Sequence, residues 1–322
     1  MAPQFNPEFL KAFEPLLPMM AAAPKPAVHD VNARRVGMEA TIPAFLGQLP
    51  DTPDVEENIY HVDAADGYKI PVYGFTKKGA ASTPGPAILH CHGGGMILGS
   101  VEVFKKAIAA QVSQTSVPVY SVEYRLAPEH PGTTLVDDCY AGLAWLHQNA
   151  QKFNIDTARV AVMGESAGGG IAAGVALMAR DKDLQPPLAK QILIYPMLDD
   201  RNIIPNPALE ALPIIWKNED NITGWTALLG DKAGKPDADV SPYCAPARVK
   251  SVAGLPPTYI DVGTLDIFRD EDIVYAQRLA AENIDTEFHL YPGLPHGFEL
   301  VALHTEVSKR ANENRYKAIL GF

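Results

Sequence analysis

The sequence predicts an α/β protein with a mostly parallel central sheet and helices on both faces. Two observations predict it. From about residue 58, short apolar runs alternate with helical patterns. The runs are continuously apolar, as in strands buried on both faces, and the helical stretches between them are long enough (about 12–15 residues) for parallel crossovers.

The elements follow in order. "NIYHV" (58–62) and "IPVYGF" (70–75) are strand-like around a turn at Asp66-Gly67. "AILHC" (87–91) precedes a helix near 102–115, and "PVYSV" (118–122) precedes one near 135–150. "RVAVM" (159–163) feeds a helix from 167. "QILIY" (191–195), "TYIDV" (258–262) and "TEFHLY" (286–291) complete the strands, with helices expected near 270–282 and 299–318. Residues 1 to about 55 differ, being Pro-rich with short amphipathic pieces, and no internal repeat is present.

Composition narrows the function classes. The chain has 322 residues, 47% hydrophobic and 20% charged, ordinary for a globular protein with a large core. Net charge is −11 and no Lys/Arg cluster stands out, so a nucleic-acid partner is not expected. No apolar stretch approaches the roughly 18 residues of a membrane span, so stable membrane insertion is not expected either. The N-terminus lacks a basic segment ahead of its apolar residues, and Cys91, Cys139 and Cys244 are odd in number and scattered. A cytoplasmic setting is the default expectation.

In open parallel sheets, ligands bind beyond the carboxyl ends of the strands. The loops there should therefore converge. After "RVAVM" comes Gly164-Glu165-Ser166-Ala167-Gly168, a G-x-S-x-G between strand and helix; such a turn exposes a serine hydroxyl above the sheet edge. After "AILHC" comes His92-Gly93-Gly94-Gly95-Met96, whose glycines let backbone N–H groups point at one spot. Together with the N–H of Ala167, they meet the needs of an oxyanion hole. After "TYIDV" lie Asp266, Asp270, Glu271 and Asp272, and after "TEFHLY" lies His296. A serine hydroxyl needs a base to become a nucleophile, and the base needs an acid to orient it. Asp266 is preferred as that acid because it follows the strand directly, whereas Asp270 suits the first turn of the next helix.

Taken together, "HGGG" (92–95), "YRLAPEHP" (124–131), "GESAGG" (164–169), "YPMLD" (195–199), Asp266 and "HGF" (296–298) resemble the hormone-sensitive-lipase family of α/β-hydrolases, the bacterial type-IV esterases and their relatives. The resemblance covers about residues 60 to 300. It implies an α/β-hydrolase fold (56–322) with a helical cap, built from residues 1–55 and an insertion near 200–226. It also implies a cofactor-free and metal-free carboxylesterase for small to medium acyl chains, acting on a small-molecule ester. Ser166, Asp266 and His296 form the triad, with Gly93, Gly94, Gly95 and Ala167 at the oxyanion hole. A homodimer is left open.

The chain departs from the family pattern at three places. Glu165 stands where Asp is common, Met96 where an aromatic residue often follows the glycines, and "GTTLVDD" where an aromatic and a proline are usual. Glu129 and His130 have no evident role. Competing readings are weaker. A receptor on the same fold typically lacks the histidine, and His296 is present. The dinucleotide-like "GGGIAAG" starts two residues past Ser166, too late for the strand–helix turn, and no acidic partner follows at the expected distance. "HCH" (90–92) lacks a third ligand at catalytic-zinc spacing.

Overall fold

The computed structural model describes residues 3–79 and 83–322, apart from the side chains of 39, 40, 43 and 44. Residues 1 and 2 of the expected cap and 80–82 of the expected body lie outside them. All eight expected strands form, as β1 Val55–Asp63, β2 Lys69–Lys77, β3 Gly85–Cys91, β4 Val119–Val122, β5 Ile155–Glu165, β6 Lys190–Ile194, β7 Thr258–Gly263 and β8 Thr286–Tyr291. They make one sheet in the order β1-β2-β4-β3-β5-β6-β7-β8. The first two pairings, β1 with β2 and β2 with β4, are antiparallel, and the rest are parallel.

The helices are α1 Pro7–Phe13, α2 Leu17–Ala22, α3 Val31–Leu46, α4 Val101–Thr115, α5 Thr134–Gln148, α6 Ala167–Asp181, α7 Pro207–Glu210, α8 Asn218–Leu229, α9 Arg269–Ala281, α10 Phe298–Val301 and α11 Glu306–Leu320. One face of the sheet packs Ala87, Leu89 and Cys91 toward α5 and α6, and the other packs Ile88, Ala161 and Met163 toward α4 and α11. Two-sided burial explains the continuous apolar runs of β3 to β7.

The expected single helix at 299–318 is two helices. Thr305 breaks it: its hydroxyl donates to Ala302 O (2.7 Å) and accepts from Ser308 N, and its backbone is extended. Such a local side-chain bond competes with helix continuation and caps the next one. The break tucks Phe298, Val301 and Ala302 against Phe9 and Phe13 of α1, beside Tyr291 and Leu294.

Small residues in α6 permit backbone contact, and the dinucleotide-like run lies inside this helix. Residues 167–179 are all buried. A Cβ at Gly170 would stand 2.1 Å from Met197 O, and one at Gly174 would stand 2.2 Å from Tyr243 O. Ala normally improves a helix over Gly by about 1 kcal/mol, but overpacking against fixed backbone costs about 1–3 kcal/mol. Overpacking should win at 174. Gly37 in α3 has nothing within 4 Å of such a Cβ. Gly174→Ala should therefore lower the melting temperature by a few degrees while Gly37→Ala raises it, both read by thermal unfolding.

Candidate active site

β5 carries the chain up to Glu165, and Ser166 turns it directly into α6. The turn is strained: Ser166 has φ 57° and ψ −123°, a region that residues with a Cβ rarely occupy. Surrounding bonds over-determine it. Ser166 N donates to Ile194 O (2.9 Å), while Ser166 O accepts from Gly170 N (3.1 Å) and Met197 N (2.9 Å). No side chain fits two residues to either side. A Cβ at Gly164 would meet Gly168 O at 2.2 Å, and one at Gly168 would meet Cys91 O at 2.0 Å.

Three loops bring the other predicted residues to this turn. His296 Nε2 lies 2.9 Å from Ser166 Oγ, and its Nδ1 donates to Asp266 Oδ2 at 2.7 Å. Asp266 Oδ1 accepts from Phe268 N (2.9 Å), so each carboxylate oxygen has a partner. All three side chains are buried. The imidazole ring stands edge-to-face with Tyr195 (4.6 Å) and Phe268 (5.1 Å), which limits its rotation. Asp270 is instead exposed in the first turn of α9, paired with Arg269. Glu271 accepts from Leu198 N and Asp199 N, away from the histidine.

The glycine loop folds over the serine. Gly93 lies against it: a Cβ there would be 3.7 Å from Ser166 Cβ. Gly94 (φ 131°) and Gly95 (φ 58°) have backbones suited to glycine, and an added Cβ on Gly95 would strike the Trp216 ring at 2.1 Å. Ala167 is the first residue of α6, where an N–H has no acceptor within the helix. His92 Nδ1 donates to Gly93 O (2.8 Å), and Tyr124 stacks on the His92 ring and donates to His92 O (2.6 Å).

Several residues whose roles the sequence leaves blank have clear work here. Glu129 pairs in bidentate fashion with Arg35 of α3 (2.8 and 2.7 Å), which holds its carboxyl down at about 2. Arg35 also donates to Ile97 O and Ala127 O, tying α3 to the end of the glycine loop. Asp138, within "GTTLVDD", receives Arg125 through two side-chain nitrogens (2.9 and 2.7 Å). Glu165 meets His90 Nε2 at 2.9 Å, and His90 Nδ1 meets Ser121 Oγ at 2.8 Å. The histidines of "HCH" thus have separate partners. Only long-range pairing reveals these roles, and no spacing signal marks them.

Known proteins similar to this chain share its fold. A family model described as the alpha/beta hydrolase fold matches residues 88–300. The chain is 35% identical over 215 residues to Esterase LipI of Mycobacterium tuberculosis, covering 66% of this chain and 65% of LipI. It thus spans just under two thirds of that relative's length. Carboxylic ester hydrolase LipN of the same organism is 32% identical over 279 residues, covering 84% of this chain and 70% of LipN. A solved structure named Bacterial Heroin Esterase superposes with a TM-score of 0.89 at 36% identity, covering 99% of this chain and 98% of its own. The chain belongs to the α/β-hydrolase fold family, in the hormone-sensitive-lipase-like branch of the type-IV esterases.

Proposed function

We propose that the chain is a serine carboxylesterase acting on small to medium acyl-chain esters. The hydrogen-bonded relay Ser166–His296–Asp266 carries this proposal. His296 Nε2 takes the Ser166 proton as Oγ attacks the ester carbonyl, and Asp266 holds the Nδ1 proton in place and balances the imidazolium. The tetrahedral oxyanion lies among the N–H groups of Gly93, Gly94, Gly95 and Ala167, a donor set worth roughly 3–4 kcal/mol per well-placed group. His296 then protonates the departing alcohol, and water repeats the sequence on the acyl-enzyme. In that second half His296 takes its proton from the attacking water and returns it to Ser166 Oγ as the carboxylic acid leaves.

The roof belongs to the same proposal. In this reading the cap is built from the N-terminal segment up to about residue 55 and the insertion near 200–226, which holds α7 and most of α8. Trp216 from that insertion sits on Gly95 and Gly224 packs on Gly95 O, so the insertion lies directly over the glycine loop. A roof so placed favours short acyl chains over long ones.

Hydrolysis of p-nitrophenyl esters from acetate to palmitate tests the proposal. The native protein should peak at short to medium chains. Ser166→Ala should lose at least about 10⁴-fold in kcat, and Asp266→Asn about 10⁴-fold through the wrong histidine tautomer. No turnover of any ester by the native protein would instead favour a receptor on this fold.

The pin beneath the glycine loop gives a pH dependence. Burial holds His92 neutral, its pKa lowered to about 4. An unfolded histidine titrates near 6.5, so above that pH both states are neutral and stability is complete. As pH falls from 6.5 toward 4, only the unfolded chain gains this proton. Stability should drop by about 1.4 kcal/mol per unit, about 3 kcal/mol in all. His92→Asn keeps an amide donor for Gly93 O and should flatten this part of the slope, measured as urea midpoints between pH 7 and 4.5.

A further inference from the structure

A cavity of about 140 Å³ lies behind the serine turn between α3, α4, α11 and the end of β5. Neither Ser166 nor His296 lines it. Its walls are largely apolar, with Phe45 from α3, Phe104 from α4, Leu303 from the α10–α11 break and Tyr316 from α11. Its polar lining includes the carboxylates of Glu165 and Glu299.

The hydrogen bonding of these carboxylates is incomplete. Glu299 Oε1 accepts from Tyr195 OH and from Arg315 Nη1 (2.8 Å), while Glu299 Oε2 is buried with no hydrogen-bond partner among the described residues. The Glu299 side chain is only 9% exposed. Arg315 has no spare face to offer, since Nε and Nη2 are held by Asp261 (2.7 and 2.9 Å) and Nη1 by Glu299. One guanidinium therefore serves two buried carboxylates. Glu165 adds a third, its Oε2 bonded to His90 (2.9 Å) and 24% of its side chain open. A buried acceptor without a donor is unfavourable, and a net negative site in an apolar shell favours a cation. Aromatic rings at Phe104, Tyr195 and Tyr316 suit such a charge when it carries an organic body. No group of three or more His, Cys, Asp or Glu that could hold a metal ion occurs among the described residues.

We propose that this cavity is a binding site for a small organic ammonium ion, its head donating to Glu299 and Glu165 and its apolar body lying against Phe45, Phe104 and Leu303. Neither Ser166, Asp266 nor His296 lines the cavity, so occupancy is read by binding and not by turnover.

Calorimetric titration of the whole native protein with benzylammonium chloride, against benzyl alcohol at matched ionic strength, tests it. The ammonium ion should bind at least tenfold more tightly than the alcohol. Glu299→Gln, which keeps an oxygen for Arg315 and Tyr195, should weaken ammonium binding at least tenfold. Leu303→Trp fills the cavity from a half-buried position without touching the carboxylates, and it should abolish binding while leaving p-nitrophenyl acetate hydrolysis intact. Should Glu299→Gln fail to fold, Leu303→Trp alone decides. Equal affinity for the alcohol, a potassium chloride titration giving the same heat, or ammonium binding that survives Leu303→Trp would each overturn the proposal.

Discussion

The architecture depends on one steric constraint, the contact of the serine turn with the strand beside it. Gly168 of α6 meets Cys91 O of β3 so closely that an added methyl group would stand 2.0 Å from that oxygen. This contact sets the height of α6 above the sheet and the distance of the glycine loop from Ser166. It also lets Gly93 lie against the serine. The positive φ of Ser166 is held by bonds from β6 and the loop after it, so the strain at the turn is offset by packing elsewhere. If α6 stood farther out, the hydroxyl, the glycine N–H groups and the histidine would no longer share one site.

The start of the chain then fixes two loops of the site. Asn6 N donates to Gly293 O, and a Cβ on Gly293 would stand 2.4 Å from Asn6 N, so α1 presses directly on the loop that carries His296. Arg35 anchors α3 to Ile97 and Ala127. The N-terminal segment therefore braces the histidine loop from one side and the glycine loop from the other. The Arg35–Glu129 pair is half exposed and contributes little energy by itself, about 0–1 kcal/mol. Its importance is in register.

The strands and the relay were legible because the sequence repeats their physics locally. Two-sided burial writes itself as apolar runs, and a serine between glycines at a strand end fits a sharp turn that exposes its hydroxyl better than it fits regular structure. Glu129, Asp138 and Arg35 were illegible for the opposite reason. Each acts through a partner well removed along the chain, and a charged side chain on a loop looks the same in sequence whether it is solvated or paired. The break at Thr305 shows a third situation. Its signal, a threonine three residues ahead of Ser308, was present but weaker than the helical pattern around it.

Buried charges below the histidine complete the frame. Tyr195, on which the His296 ring leans, donates to Glu299, and Glu299 shares Arg315 with Asp261. These residues come from the loop after β6, from β7, and from α10 and α11, so the network joins the elements that surround the histidine. Buried ion pairs seldom stabilise more than apolar groups of the same shape, yet removing one member leaves an uncompensated charge at a cost of about 3–5 kcal/mol. The network is therefore better understood as fixing position than as adding stability. With its hydroxyl anchored on Glu299, the Tyr195 ring meets the imidazole edge-to-face and limits its rotation away from Asp266 and Ser166.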